Sequence, residues 1–315
     1  MDYVLLLPGQ GSQKVGMGKD LHEAFPAARD AFHAVDDAVG ASLSTLAFEG
    51  PADELTRTIN AQPALLAHSA AVWAVVRDAI VPTMRAAAGH SLGEFSAYHT
   101  AGALDLAAAA RIVRRRGALM YEQGVARPGA MAAILGVLST SIDALCAQAT
   151  AECGLVVAAN YNSDEQVVIS GEVAGVERAM TLAKEAGAKR CLPLPVSGAF
   201  HSPLMAPAVD GLADALSAEL WHTPRVPVVA NVNAEAITDA DVARDLLVQQ
   251  LTAPVQWTRV MRTLADEYPD ATFVEIGSGS VLTGLARRIA PSVKTMSCGT
   301  VAEVEKLLDS ASRND

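Results

Sequence analysis

A chain of 315 residues with 51% apolar positions is long enough to bury one large core or two unequal ones. Its net charge of −11 excludes a general nucleic-acid surface, which needs clustered cations; only Arg114-Arg115-Arg116, Lys189-Arg190 and Arg287-Arg288 offer local basic patches. Met1-Asp2-Tyr3 lacks the basic opening of a secretory signal and no stretch approaches the ~18 apolar residues of a membrane helix, so the expected location is the cytoplasm, with no membrane partner. Cys146, Cys153, Cys191 and Cys298 form no CxxC pair and have no pattern of nearby histidines, so they read as small buried hydrophobes and no metal site is expected.

Tyr3 to Leu7 predicts a buried strand running into the glycine loop Pro8-Gly9-Gln10-Gly11-Ser12-Gln13. Gln62 to Ile80 predicts a helix, Met84 to Ala88 a short central strand, and Asp105 to Tyr121 a second helix rich in Ala and Leu. From Ala130 to Leu194 the pattern is strand, helix, strand, strand, helix, strand. That βαββαβ order predicts a ferredoxin-like subdomain over residues 127–196, inserted in a large domain made of 1–126 and 197–315. Beyond it the pattern predicts a helix near Leu204 to Glu219, a strand at Val226 to Ala230 and a helix over Thr258 to Glu267. The strand Thr272 to Ile276 then enters Gly277-Ser278-Gly279, and a helix covers Val281 to Ile289. Strands alternating with helices imply an α/β fold whose mostly parallel sheet is flanked by helices.

Gly89-His90-Ser91-Leu92-Gly93 is a GxSxG pentapeptide between an apolar run and a helix, the setting of a nucleophile elbow. Flanking glycines allow the tight turn, the Ser91 oxygen is exposed at a helix start, and the Leu92 amide can donate to a developing oxyanion. A serine needs a base, and His201 stands out among seven histidines because it lies in the small-residue loop Ser197 to Pro203. His22, His33, His68 and His99 fall in expected helices, His222 in a polar turn, and His90 beside the serine should point away from it. On the Asp105 helix, a projection of ~100° per residue gathers Leu106, Ala109, Ala110, Val113, Gly117 and Met120 into one buried stripe. Arg111, Arg114 and Arg115 fall in solvent and Arg116 at the core border. There Arg116 either meets an internal carboxylate or forms a bidentate fork for a substrate carboxylate.

Together these segments resemble the malonyl-CoA:acyl carrier protein transacylases, the acyltransferases of fatty acid and polyketide synthesis. The resemblance spans nearly the whole chain. It rests on Pro8 to Gln13, Gly89 to Glu94, Arg116-Gly117 with Met120, Gly198-Ala199-Phe200-His201-Ser202, Gln250-Leu251 with Pro254-Val255-Gln256-Trp257, and Glu275-Ile276-Gly277. It implies an α/β-hydrolase-like core, Ser91 as nucleophile and His201 as base. It further implies an oxyanion hole from the amides of Gln10 and Leu92, and Arg116 on the malonyl carboxylate. The Gln250 carbonyl would orient the histidine, and the Phe200 ring would fill space that an α-methyl group needs. The implied substrates are malonyl-CoA and an acyl carrier protein, with a coenzyme A thioester as substrate, no permanently bound cofactor, and a monomer as the default state. An α/β-hydrolase-type serine esterase or thioesterase shares the elbow and is the rival. A dinucleotide site at Gly9-Gln10-Gly11 fails on spacing, since the next glycine, Gly16, falls two positions late.

Overall fold

The computed structural model describes residues 1–196 and 198–312. Ser197, at the head of the histidine loop, and residues 313–315 lie outside them, so the expected segment 197–315 is described from 198 to 312. The strands are β1 (Tyr3–Leu7), β2 (Met84–Gly89), β3 (Ala130–Leu135), β4 (Val156–Ser163), β5 (Gln166–Gly171), β6 (Arg190–Pro193), β7 (Val228–Val229), β8 (Ala236–Ile237), β9 (Thr272–Ile276) and β10 (Lys294–Cys298). They form a six-stranded sheet in the order β10-β9-β1-β2-β7-β8 and a four-stranded sheet in the order β4-β5-β3-β6. The protein is therefore a mixed α/β molecule with a parallel-rich main sheet covered by helices.

In the main sheet β1 pairs parallel with β2 and β9, β9 with β10, and β2 with β7; β8 alone runs antiparallel. All five β1 residues are buried, because helices cover both faces. Successive side chains point to opposite faces. Leu5 and Leu7 enter the core beneath the helices Thr58–Ile80 and Leu106–Ala126, while Val4 and Leu6 meet the helices Trp257–Glu267 and Val281–Ile289. Parallel pairing places the carboxyl ends of β1, β2, β7 and β9 along one edge, where loops of this architecture build binding sites.

The helix Thr58–Ile80 is long and apolar enough, by length and composition, to cross a membrane, contrary to the reading of the sequence. It is instead a core helix. It packs against the helices Pro26–Val39 and Leu106–Ala126, and most of its residues, among them Leu65, Leu66, Val72 and Val76, are buried.

Several boundaries differ from the sequence pattern. The expected Leu204 to Glu219 helix divides into a 3-10 turn, Pro203–Ala208, and a helix, Val209–Ser217, because Pro207 has no amide to continue the ladder. Only Val228–Val229 of the expected Val226 to Ala230 strand pairs as a strand. The helices Ala240–Gln249 and Val301–Ser312, with the edge strand β10, were not apparent from the pattern. Arg114 is half-buried rather than in solvent: its guanidinium donates to the Ile59 carbonyl and to Asn60, since the start of the Thr58 helix covers that face. Cys153 is exposed and Cys191 half-buried, so only Cys146 and Cys298 are buried hydrophobes; all four are free thiols.

In the second sheet every strand pair is antiparallel, and the helices Ile142–Cys153 and Val173–Glu185 cover one face with their own small core. Its tie to the main body includes an isolated parallel bridge. Tyr161 N–H donates to the Val255 carbonyl at 2.9 Å and Val255 N–H to the Ala159 carbonyl at 2.8 Å. That bridge fixes β4 beside the loop leading to Trp257 and brings Asn160 and Asn162 to the edge where β1 and β2 end.

Candidate active site

The elbow is set by close backbone packing. A Cβ on Gly89 would lie 1.9 Å from the Gly93 carbonyl, and one on Gly93 would lie 2.0 Å from the Leu7 carbonyl, so neither position admits a side chain without moving backbone. Between them Ser91 takes φ 53°, a left-handed conformation that L-residues rarely adopt. Asn231, two residues beyond β7, holds that turn: its Oδ1 accepts from Ser91 N–H at 2.7 Å and its Nδ2 donates to the Gly89 carbonyl at 2.7 Å.

His201, with φ 55°, meets the serine from the opposite wall. Its Nδ1 lies 2.9 Å from the Gln250 carbonyl oxygen and its Nε2 2.7 Å from Ser91 Oγ. A carbonyl can only accept, so Nδ1 carries the proton and Nε2 is left to accept from the hydroxyl. Burial, with the Arg116 charge second, depresses the imidazole pKa to about 3. The ring is therefore neutral at physiological pH and free to take a proton.

Arg116 lies fully inside, 1% exposed, rather than at the border, because the Thr58 helix closes over it. Its Nη1 donates to Gln62 Oε1 at 2.7 Å; its Nη2 donates to Gln250 Oε1 at 2.9 Å and to Ser91 Oγ at 3.2 Å. These partners are all neutral, so the internal carboxylate pairing weighed from the sequence is not what satisfies it. Burial lowers its pKa to about 10, which leaves the guanidinium charged at pH 7, with its carbon 5.4 Å from the centre of the Phe95 ring. Gln62 Nε2 donates onward to Thr58, whose hydroxyl donates to Gln10 Oε1 at 2.9 Å, so the cation and the β1 loop are linked through hydrogen bonds. Among the described residues the amides of Gln10 and Leu92 donate to no protein acceptor.

These groups line one cavity of about 300 Å³. Gln10, Ser91, Leu92, Arg116, Phe200 and His201 reach it from the main body. Met131, Asn160, Asn162 and Gln166 reach it from the four-stranded sheet. His90 turns away from His201, its Nε2–H donating to Asn162 Oδ1 at 2.8 Å and its ring tilting over Trp257. The remaining histidines sit apart from the serine, His68 against Gly299 and His99 against Leu104. Asn231 and Gln62 escaped sequence reasoning as site residues, each a single polar position with no local pattern, and Glu94 entered only as the last residue of the Gly89 to Glu94 motif, with no role of its own; burial is the signal that distinguishes all three. The arrangement can deprotonate a hydroxyl, hold an anionic group beside it, and offer two unpaired amides to a developing negative charge.

An acyl transferase domain model matches residues 4–306, and the chain belongs to that family. It is 45% identical over 301 residues to the malonyl CoA-acyl carrier protein transacylase of Bacillus subtilis, covering 95% of this chain and 94% of that protein. The crystal structure of acyl-carrier-protein-S-malonyltransferase from Bartonella henselae superposes with a TM-score of 0.94 at 44% identity, covering 99% of this chain and 100% of that one. A type II PKS acyl-carrier protein in complex with its malonyl-transacylase matches with a TM-score of 0.93 at 40% identity, covering 98% and 100% of the two chains.

Proposed function

We propose that this chain moves a malonyl group from malonyl-CoA to the phosphopantetheine thiol of an acyl carrier protein through an ester on Ser91. The observation that carries this is the buried, charged Arg116 within 3.2 Å of Ser91 Oγ, with only neutral partners. A cation so placed favours an acyl group that ends in a carboxylate, and an esterase of neutral substrates has no use for it. It also stabilises negative charge on Oγ as the proton leaves.

In the first step Ser91 Oγ bonds to the thioester carbonyl carbon while its proton passes to His201 Nε2. The Gln10 and Leu92 amides, which meet no acceptor among the described residues, receive the oxyanion. The carbon–sulfur bond then breaks, and the thiolate of coenzyme A takes the proton from His201. The carrier thiol next gives its proton to His201 and attacks the malonyl ester, which returns the serine hydroxyl and forms the new thioester. The Gln250 carbonyl keeps the imidazole oriented in place of a carboxylate. Phe200, 7% exposed on the cavity wall, fills the space that an α-methyl substituent would need. Gln166 and Asn160, with the apolar Met131 and Val168, suit an amide-bearing pantetheine arm.

The chain-derived groups account for every proton and charge in this scheme, so it calls for a coenzyme A thioester as substrate and no resident cofactor. We read residues 127–196 as a ferredoxin-like subdomain, on its antiparallel order β4-β5-β3-β6 and two covering helices, inserted in an α/β-hydrolase-like body. We read the enzyme as a cytoplasmic monomer. Its partner of carrier type is suggested by the complex with which it aligns. Incubation with malonyl-CoA and holo carrier tests the function: the expected product is malonyl-carrier, whereas accumulation of free malonate at the same rate would identify a thioesterase.

A further inference from the structure

The cavity is backed by a carboxylate that the scheme above does not use. Glu94, in the first turn of the helix Gly93–Thr100, is 0% exposed and, among the described residues, makes no direct ion pair, though the nearby Arg116 charge acts on it. Its Oε2 accepts from Gln250 Nε2 at 2.6 Å and from Asn231 N–H at 3.3 Å, while its Oε1 has no partner. A buried carboxylate destabilises a fold unless it holds donors, and both of its donors belong to residues that shape the site.

Gln250 is the junction. Its main-chain carbonyl holds His201, its Oε1 accepts from Arg116 Nη2, and its Nε2 points the other way, to Glu94 and to the Ser91 carbonyl at 3.0 Å. A primary amide can turn over and exchange its two ends at little steric cost. Turned over, it would aim an N–H at the guanidinium, two donors would face each other, and Arg116 would have to leave its place beside Ser91. The Glu94 carboxylate oxygen Oε2, at 2.6 Å the shorter contact, and the Ser91 carbonyl oxygen both accept and cannot donate, so together they admit only the orientation in which Oε1 faces Arg116.

We propose that Glu94 is a specificity-positioning residue, whose carboxylate oxygen locks the Gln250 amide and through it sets Arg116 for an acyl group that ends in a carboxylate. The proposal rests on the malonyl-transfer function above and adds a residue to it. Burial raises the Glu94 carboxyl to about 7. Its proton would sit on the partner-free Oε1 and leave Oε2 an acceptor, so the lock holds in both protonation states. A glutamine in its place can keep an acceptor at the same point, and a leucine cannot.

The test compares the ratio of malonyl to acetyl transfer in Glu94→Leu, Glu94→Gln and the wild type. Glu94→Leu should lower the ratio about tenfold, the scale of one buried hydrogen bond, and Glu94→Gln should restore most of it. In an Arg116→Ala background Glu94→Leu should no longer change the ratio, an outcome that general loosening of the fold would not produce. If Glu94→Leu does not fold, Gln250→Leu serves in its place, since Glu94 acts through that side chain and the same fall is expected. A folded Glu94→Leu or Gln250→Leu enzyme with the wild-type ratio would overturn the proposal. A wild type that shows no preference for malonyl would instead overturn the functional assignment, and this proposal with it.

Discussion

The loops at the carboxyl edge of the parallel sheet and the strands of the antiparallel sheet face the same cavity with opposite kinds of material. The loops hold Ser91 and His201 at left-handed φ angles and two amides without partners among the described residues, and the helix Leu106–Ala126 brings a buried guanidinium beside them. The antiparallel sheet offers Met131, Asn160 and Val168 from its strands, β4 shifting register at Asn160, with no charged side chain among its buried residues. Strain and buried charge are tolerated where several strands and helices over-determine a turn, and the elbow is fixed by β1, β2, Asn231 and Gln250 at once. The second sheet contributes shape and amide contacts, which need no such support.

Arg116→Ala attacks the comparison at its strongest point. Malonyl transfer should fall about a hundred- to a thousandfold, on the scale of losing a buried charge-assisted contact, while acetyl transfer is spared or rises. Equal losses for both acyl groups would mean that the cation serves the serine alone and that selectivity lies elsewhere.

Acid should weaken the main body selectively. His201 and His68 are held neutral by burial, with pKa values depressed to about 3 and about 4, and the region 127–196 contains no histidine. Because the unfolded chain binds their protons near pH 6.5 and the native state does not, their stabilisation is complete above 6.5 and is lost as pH falls towards the folded values, on the order of 3 kcal/mol each. Glu94 works in the other direction, since its raised carboxyl stabilises fully below about 4.5 and loses that contribution as pH rises through about 7. Urea midpoints followed by tryptophan fluorescence, which reports Trp73, Trp221 and Trp257 of the main body, should therefore be lower at pH 4 than at pH 7. A midpoint unchanged between those values would show that the buried imidazoles are not held neutral.

The smallest effect belongs to the surface of the second sheet's helices, where a half-buried Arg178 pairs with the exposed Glu152 at 2.5 Å. Exposed ion pairs contribute little, so Arg178→Ala should leave both turnover and the thermal midpoint within error. A clear loss of transfer would mean that the antiparallel region does more than shape the cavity.

What the sequence makes legible follows from how local each signal is. Ser91 is visible because two glycines, an apolar strand and a helix crowd its turn into a short run. His201 is only favoured by its loop, and Gln250, which serves through both its carbonyl and its side-chain amide, has no signature apart from the family likeness. Asn231 is silent, and Glu94, although it closes the Gly89 to Glu94 motif, shows no role there, since what matters is a meeting of residues 137 positions apart in the chain. The helical projection misplaced Arg114 and Arg116 for one reason: a projection knows one helix, and the exposure of both is decided by the helix Thr58–Ile80 laid across it.

The central claim is that a serine, an imidazole and a guanidinium act together on one malonyl thioester. Intact mass measurement after brief exposure to malonyl-CoA, with peptide mapping, tests it most directly. The account predicts one malonyl adduct, on Ser91, absent from Ser91→Ala and discharged by holo carrier. An adduct on another residue, or stoichiometric labelling of Ser91→Ala, would contradict it.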